Sequence, residues 1–213
     1  MWPFALSIIF FSLIIDRIGY KTVALFAIAC HIVSLVLTLR ASGFQGLYWS
    51  TFLVAVANGT VECFINPVVA TVFRKDKTKW LNILHAGWPA GLALGALFCA
   101  LLPDTKLFFG AVWQFRFALC FIPVVLYALL ILPRMFPVNE RVAAGVSYRD
   151  MLKEVGSVGF FIIGSLVYFA VMQMAGKEAS LTASLIAGAV VGIAAGAYTH
   201  SLGNWLFIVV LIT

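Results

Sequence analysis

Charge is scarce in this sequence. Asp, Glu, Lys and Arg make up 10% of the 213 residues, against 63% hydrophobic residues and a mean hydropathy of +1.08. Soluble domains carry about 25% charged and roughly 45–50% apolar residues. The shortfall excludes an ordinary soluble domain and indicates a polytopic membrane protein. Short alternating strands are also missing, so a helix bundle is expected rather than a barrel. Cysteine is sparse too: Cys30, Cys63, Cys99 and Cys120 each lie in an apolar segment with no C-x-x-C pair. They read as small buried hydrophobes, not as a disulfide or metal set. The first residues, MWPFALSIIFFSLII, lack the basic start of a signal peptide and end on Asp16-Arg17 instead of a small-residue cleavage site. Neither His31 nor His200 has metal-ligand spacing with another His, Cys or acidic residue, so both read as incidental.

What the sequence does have is long apolar runs, near 2–15, 22–39, 47–73, 80–102, 111–133, 157–176, 181–199 and 205–213. A span needs about 20 residues. The six inner runs qualify; the first and last are too short. The net charge of +6 would suit nucleic acid, but the basic residues sit in loops between these runs, so no nucleic-acid partner is expected. Their distribution is uneven. Alternate loops hold ten (Arg17, Lys21, Arg74, Lys75, Lys77, Lys79, Arg134, Arg141, Arg149, Lys153) and four (Arg40, Lys106, Arg116, Lys177). The positive-inside rule then places loops 16–21, 74–79 and 134–156 in the cytoplasm. On this topology the chain reads as a fragment, lacking at least one helix before Met1 and more after Thr213.

The longest loop, 134–156, carries four basic and three acidic residues. Ser147 followed by Asp150 marks a helix start, and Met151 and Leu152 among charges suggest a short interfacial helix. This loop divides an N-terminal bundle, 1–133, from the start of a second, 157–213.

SLIIDRIGYK, Ser12 to Lys21, resembles the signature G-x-L-x-D-R-x-G-R-[KR] between the second and third helices of the major facilitator superfamily. Asp16, Arg17, Gly19 and Lys21 match; Ser12 stands where Gly is usual and Tyr20 where Arg is usual. ANGTVECFINPVVATVF and KTKWLNILHAGWPAGLALGALF resemble helices four and five of the fucose-permease-like branch. Glu62, Asn66, Pro67, Leu81, Asn82 and His85 carry that likeness. The resemblance implies that the six inner spans are helices three to eight. It also implies a sugar or related polyol taken up by symport, no prosthetic cofactor, and a home in a bacterial cytoplasmic membrane. Asp16, Arg17, Gly19 and Lys21 would form a cytoplasmic latch that acts in conformational switching. The bland alternative for them is a charged loop that fixes topology.

Asn58, Glu62 and Asn66 are four residues apart, which places them within about 80° on one helix face. A charge at the bilayer centre costs on the order of 2.5–3.5 kcal/mol, so the face should look into a bundle interior. One reading is a structural polar knot. The other is a cavity wall in which Glu62 binds a proton or a polar substrate group; burial disfavours a charged carboxylate, so proton exchange is expected near neutral pH. In the next span Asn82 and His85 share a face, with Trp88 and Pro89 nearby to shape the cavity. Gly87, Gly91 and Gly95 occupy nearly the opposite face and suit close packing on another helix. Gly188, Gly192 and Gly196 make a second such face; no P-loop Lys-Ser/Thr follows them.

The expected function is a secondary transporter of a small polar solute. Glu62 would couple protons, and Asn58, Asn66, Asn82, His85 and Trp88 would line the solute site. A truncated, non-transporting remnant of such a transporter is the alternative. A membrane-embedded lipid-modifying enzyme is weaker, because it would need a nucleophile–base set or clustered carboxylates and only Glu62 lies in a span.

Overall fold

In the computed structural model, residues 2–102 and 112–212 are described. Lys106, counted above among the outer basic residues, lies outside them, as do Met1 and Thr213. The described chain is all helical: α1 Trp2–Ile18, α2 Tyr20–Arg40, α3 Phe44–Val72, α4 Lys77–Leu101, α5 Val112–Ala118, α6 Phe121–Ile131, α7 Glu140–Ala143, α8 Tyr148–Met174, α9 Leu181–Thr199 and α10 Trp205–Ile212. Six stretches are long and apolar enough to cross a membrane: α2, α3, α4, α5 with α6, α8 and α9. Helices suit this chain because lipid offers no hydrogen bonds, and a helix satisfies its backbone within one segment. At 29 residues α3 runs about 43 Å, more than the roughly 30 Å of hydrocarbon, so it tilts or projects.

The chain divides into two compact units, Met1–Glu140 and Arg141–Thr213. In the first, α3 packs on α1 and α2. A cluster of Phe11, Ile15, Tyr20, Val23, Ala24, Cys63 and Phe64 forms its core, with Phe136 edge-on to Phe64 at 6.0 Å between ring centroids. Small residues let the backbones approach. A Cβ on Gly59 would lie 2.2 Å from the Phe4 carbonyl oxygen and 2.0 Å from Ser7 Oγ. Ser34 Oγ donates to the Ser50 carbonyl across α2 and α3 at 2.8 Å. Such packing and hydrogen bonds hold membrane helices together where lipid is as apolar as leucine. The fourth span, α5 with α6, is not continuous. Pro123 has no N–H for the Leu119 carbonyl and its ring crowds that oxygen, so the helix breaks there and three-residue bonds close the turn.

Contacts in this unit show which loops share an end. Asn139 donates to Asp16, and Glu140 pairs with Arg74 at 3.4 Å and Lys77 at 3.6 Å. Residues 16, 74–77 and 139–140 therefore gather at one end. Gln114 donates to the Leu39 carbonyl at 2.8 Å, which joins residues from the other loop set.

In the second unit α8 and α9 form an antiparallel hairpin with Gly188, Gly192 and Gly196 at the contact. A Cβ on Gly188 would come 2.5 Å from the Phe161 carbonyl oxygen, and one on Gly192 2.8 Å from that of Ser157. Ser147 caps α8 by accepting from the Asp150 N–H at 3.1 Å, at the helix start expected from the sequence. The opening stretch of α8, about two turns, ends at Gly156, where φ is 56° and ψ −172°. This break orphans backbone groups on both sides. The 201–204 loop satisfies them: Ser157 and Val158 donate to the Ser201 and Leu202 carbonyls, Asn204 N–H to Glu154, and Ser201 Oγ to Lys153. His200, expected to be incidental, ends α9 in the left-handed conformation at φ 54°.

Two other expectations change. Gly87, Gly91 and Gly95 have no atom within 4 Å of a built Cβ, and α4 has no buried residue. The close packing expected there is absent among the described residues: α3, its chain neighbour, packs mainly on α1 and α2. Cys30 and Cys63 are buried as expected, but Cys99 and Cys120 are exposed, since α4 and the start of α6 present those sides outward.

Candidate functional site

The polar stripe of α3 lies on the wall of the first unit. Its helix carries Pro67 one residue after Asn66, so the Cys63 carbonyl receives no helical N–H there. Glu62 and Asn66 are half-buried and Asn58 is exposed. One helical turn is enough to bond the lower pair: Asn66 Nδ2 donates to Glu62 Oε2 at 3.1 Å and to the Glu62 backbone carbonyl at 3.2 Å. The amide thereby orients one carboxylate oxygen. Asn66 Oδ1 is buried with no hydrogen-bond partner among the described residues.

The upper end of the stripe reaches other helices. Asn58 Oδ1 lies 2.9 Å from Nε2 of His31 on α2, and His31 Nδ1 lies 2.7 Å from the Tyr127 hydroxyl on α6. The His31 and Tyr127 rings meet edge-on, 5.7 Å between centroids and 82° between planes. Three spans thus share one chain of hydrogen bonds, which aligns α2, α3 and α6 around the stripe. His31 is therefore a correction to the sequence reading, which gave it no role. No spacing rule could have found it, because 27 residues separate it from Asn58 and 96 from Tyr127.

The structure does not gather every expected residue. Asn82, His85 and Trp88 are exposed on α4, and the side chains of Asn82 and His85 have no hydrogen-bond partner among the described residues. Trp88 is 65% exposed. The stripe on α3 and the polar face of α4 are thus two separate features here.

At the loop end of the unit, Gly19 separates α1 from α2 with φ 81°, a conformation that suits glycine. Asp16 accepts from Asn139, while Arg17 and Lys21 are exposed. Among the described residues, no three His, Cys, Asp or Glu side chains gather to hold a metal ion. Comparison with protein-family models, curated proteins and solved structures finds no match to this chain.

Proposed function

We propose that the protein is a secondary active transporter of the major facilitator type. It would move a small polar solute, a sugar by preference, by alternating access coupled to protons. The observation that carries this reading is the stripe Asn58–Glu62–Asn66. It pairs a carboxylate oriented by the Asn66 amide with, one turn away, an Asn58 side chain bonded to His31 and through it to Tyr127, within spans that otherwise expose apolar side chains. Transport sites of this kind sit near the bilayer midplane, and intramembrane ionisable residues there serve as proton relays. Glu62 takes the proton-coupling role, and Asn58 and Asn66 bind solute hydroxyls. Asn82, His85 and Trp88 complete the site if α4 supplies a second wall. The division of the chain into two units supports a two-bundle design. Contacts among Asp16, Asn139, Glu140, Arg74 and Lys77 support one shared side for loops 16–21, 74–79 and 134–156, which the basic residues assign to the cytoplasm, with Asp16, Arg17, Gly19 and Lys21 as the latch; a bacterial inner membrane is the home the resemblance implies.

The test is sugar-driven proton entry into vesicles that contain the whole chain, with Glu62→Gln in parallel. The parent should acidify the lumen when a transported sugar is added, and Glu62→Gln should lose that coupling. Equal transport by Glu62→Gln would make the stripe a packing feature and remove the proton role.

A further inference from the structure

We infer that His31 is a positioning residue of the stripe. It holds the Asn58 amide so that both amide N–H donors face a solute oxygen. This rests on the transporter reading above, and it narrows the chemistry of the solute.

The argument begins with donors and acceptors. Asn58 Oδ1 can only accept, so the His31 Nε2 facing it at 2.9 Å carries the hydrogen. In the neutral ring Nδ1 is then the acceptor, and the Tyr127 hydroxyl at 2.7 Å donates to it. The Asn58 oxygen therefore fits the Nε2–H tautomer, which the Tyr127 hydroxyl supports by donating to Nδ1, and that ring in turn holds the Asn58 amide with its oxygen toward His31. With Oδ1 engaged, the amide nitrogen of Asn58 has no partner among the described residues, and the side chain is exposed. One turn along α3, about 6 Å away, the Glu62 carboxylate accepts instead. The stripe thus has a donating end at Asn58 and an accepting end at Glu62.

A polyhydroxy solute satisfies both ends, because each hydroxyl can accept at Asn58 and donate at Glu62. An amine without an acceptor oxygen satisfies only the Glu62 end. The inferred class is a neutral solute with at least two oxygens several ångströms apart. Discrimination against an analogue that lacks the oxygen facing Asn58 follows, since a bound solute would cover the amide and leave its donors unpaired.

The experiment uses the whole chain, labelled with 15N at histidine and asparagine side chains and placed in lipid nanodiscs. His31→Leu identifies the His31 and Asn58 signals. The parent should show His31 as the Nε2–H tautomer, and Tyr127→Phe and Asn58→Leu should each weaken that preference. An Nδ1–H tautomer in the parent, or a preference unchanged in both variants, overturns the inference. D-glucose, D-galactose and L-fucose are then added as probes. At least one should shift the Asn58 amide signal, and its half-saturation for uptake should rise about tenfold in His31→Leu with the maximal rate nearly kept. His31→Gln retains a donor near Nε2 and should restore most of that loss. Uptake with unchanged half-saturation in His31→Leu sinks the positioning role and leaves the transporter reading intact. A sugar that shifts the Asn58 signal without uptake sinks the transporter reading and keeps the amide orientation. No shift and no uptake for all three sugars overturns both.

Discussion

Two helices carry three glycines at the same four-residue spacing, and they meet different surroundings. On α9, Gly188, Gly192 and Gly196 lie against Ser157, Phe161 and Ser165 of α8, with Gly164 opposite Gly188. On α4, Gly87, Gly91 and Gly95 face open space. The spacing is therefore a licence for close approach, and a second surface decides whether it is used. That surface on α8 includes the small residues Ser157, Gly164 and Ser165, and a short connection returns α9 directly onto it. The chain neighbour of α4 is α3, whose small-residue positions Ala57 and Gly59 are already covered, Gly59 by α1.

The strongest way to break this contrast is at the helix that does the covering. Gly156→Ala places a side chain at φ 56° and brings its Cβ within 2.0 Å of the Gly203 amide nitrogen. Backbone strain and overpacking act together, so the second unit should lose about 3–5 kcal/mol. Equilibrium unfolding in mixed micelles checks this, and a loss below 1 kcal/mol would show that the 201–204 loop can move aside. Next comes the covered face itself. Gly188→Ala should cost about 1–3 kcal/mol by the same measurement. Adding Ser165→Ala should recover only part, because the hydroxyl at 1.9 Å is removed while the Phe161 carbonyl at 2.5 Å stays. Full recovery would mean that the hydroxyl alone sets the contact. The smallest effect belongs to the open face. Gly91→Ala meets nothing and improves helix propensity, so stability should hold or rise by up to about 1 kcal/mol. A clear loss there would reveal a neighbour on α4 and make the two faces alike.

The polar residues repeat the lesson. Glu62 and Asn66 were legible as a pair because helical spacing alone brings a fourth neighbour within reach, and they bond. Asn58 was legible as part of the stripe, but its partner was not. His31 meets it through the packing of α2 on α3, and Tyr127 arrives from a span 96 residues along. The face shared by Asn82 and His85 was equally legible, yet α4 holds it away from any described partner. The cap at Ser147 followed from a local Ser-x-x-Asp pattern. The break at Gly156 did not, because a glycine in an apolar run becomes a kink only when another segment, here 201–204, takes up its freed backbone groups.

By itself the sequence determined that the chain is helical, that six stretches among the described residues are long and apolar enough to cross a membrane, and which residues ride on one face of each helix. Those properties depend on burying apolar side chains in lipid and on satisfying each backbone group within its own segment, both of which are local. The tertiary structure alone decided which faces are covered and which polar groups meet. Those outcomes depend on shape and hydrogen-bond geometry between segments distant in the chain, which spacing along one helix does not encode.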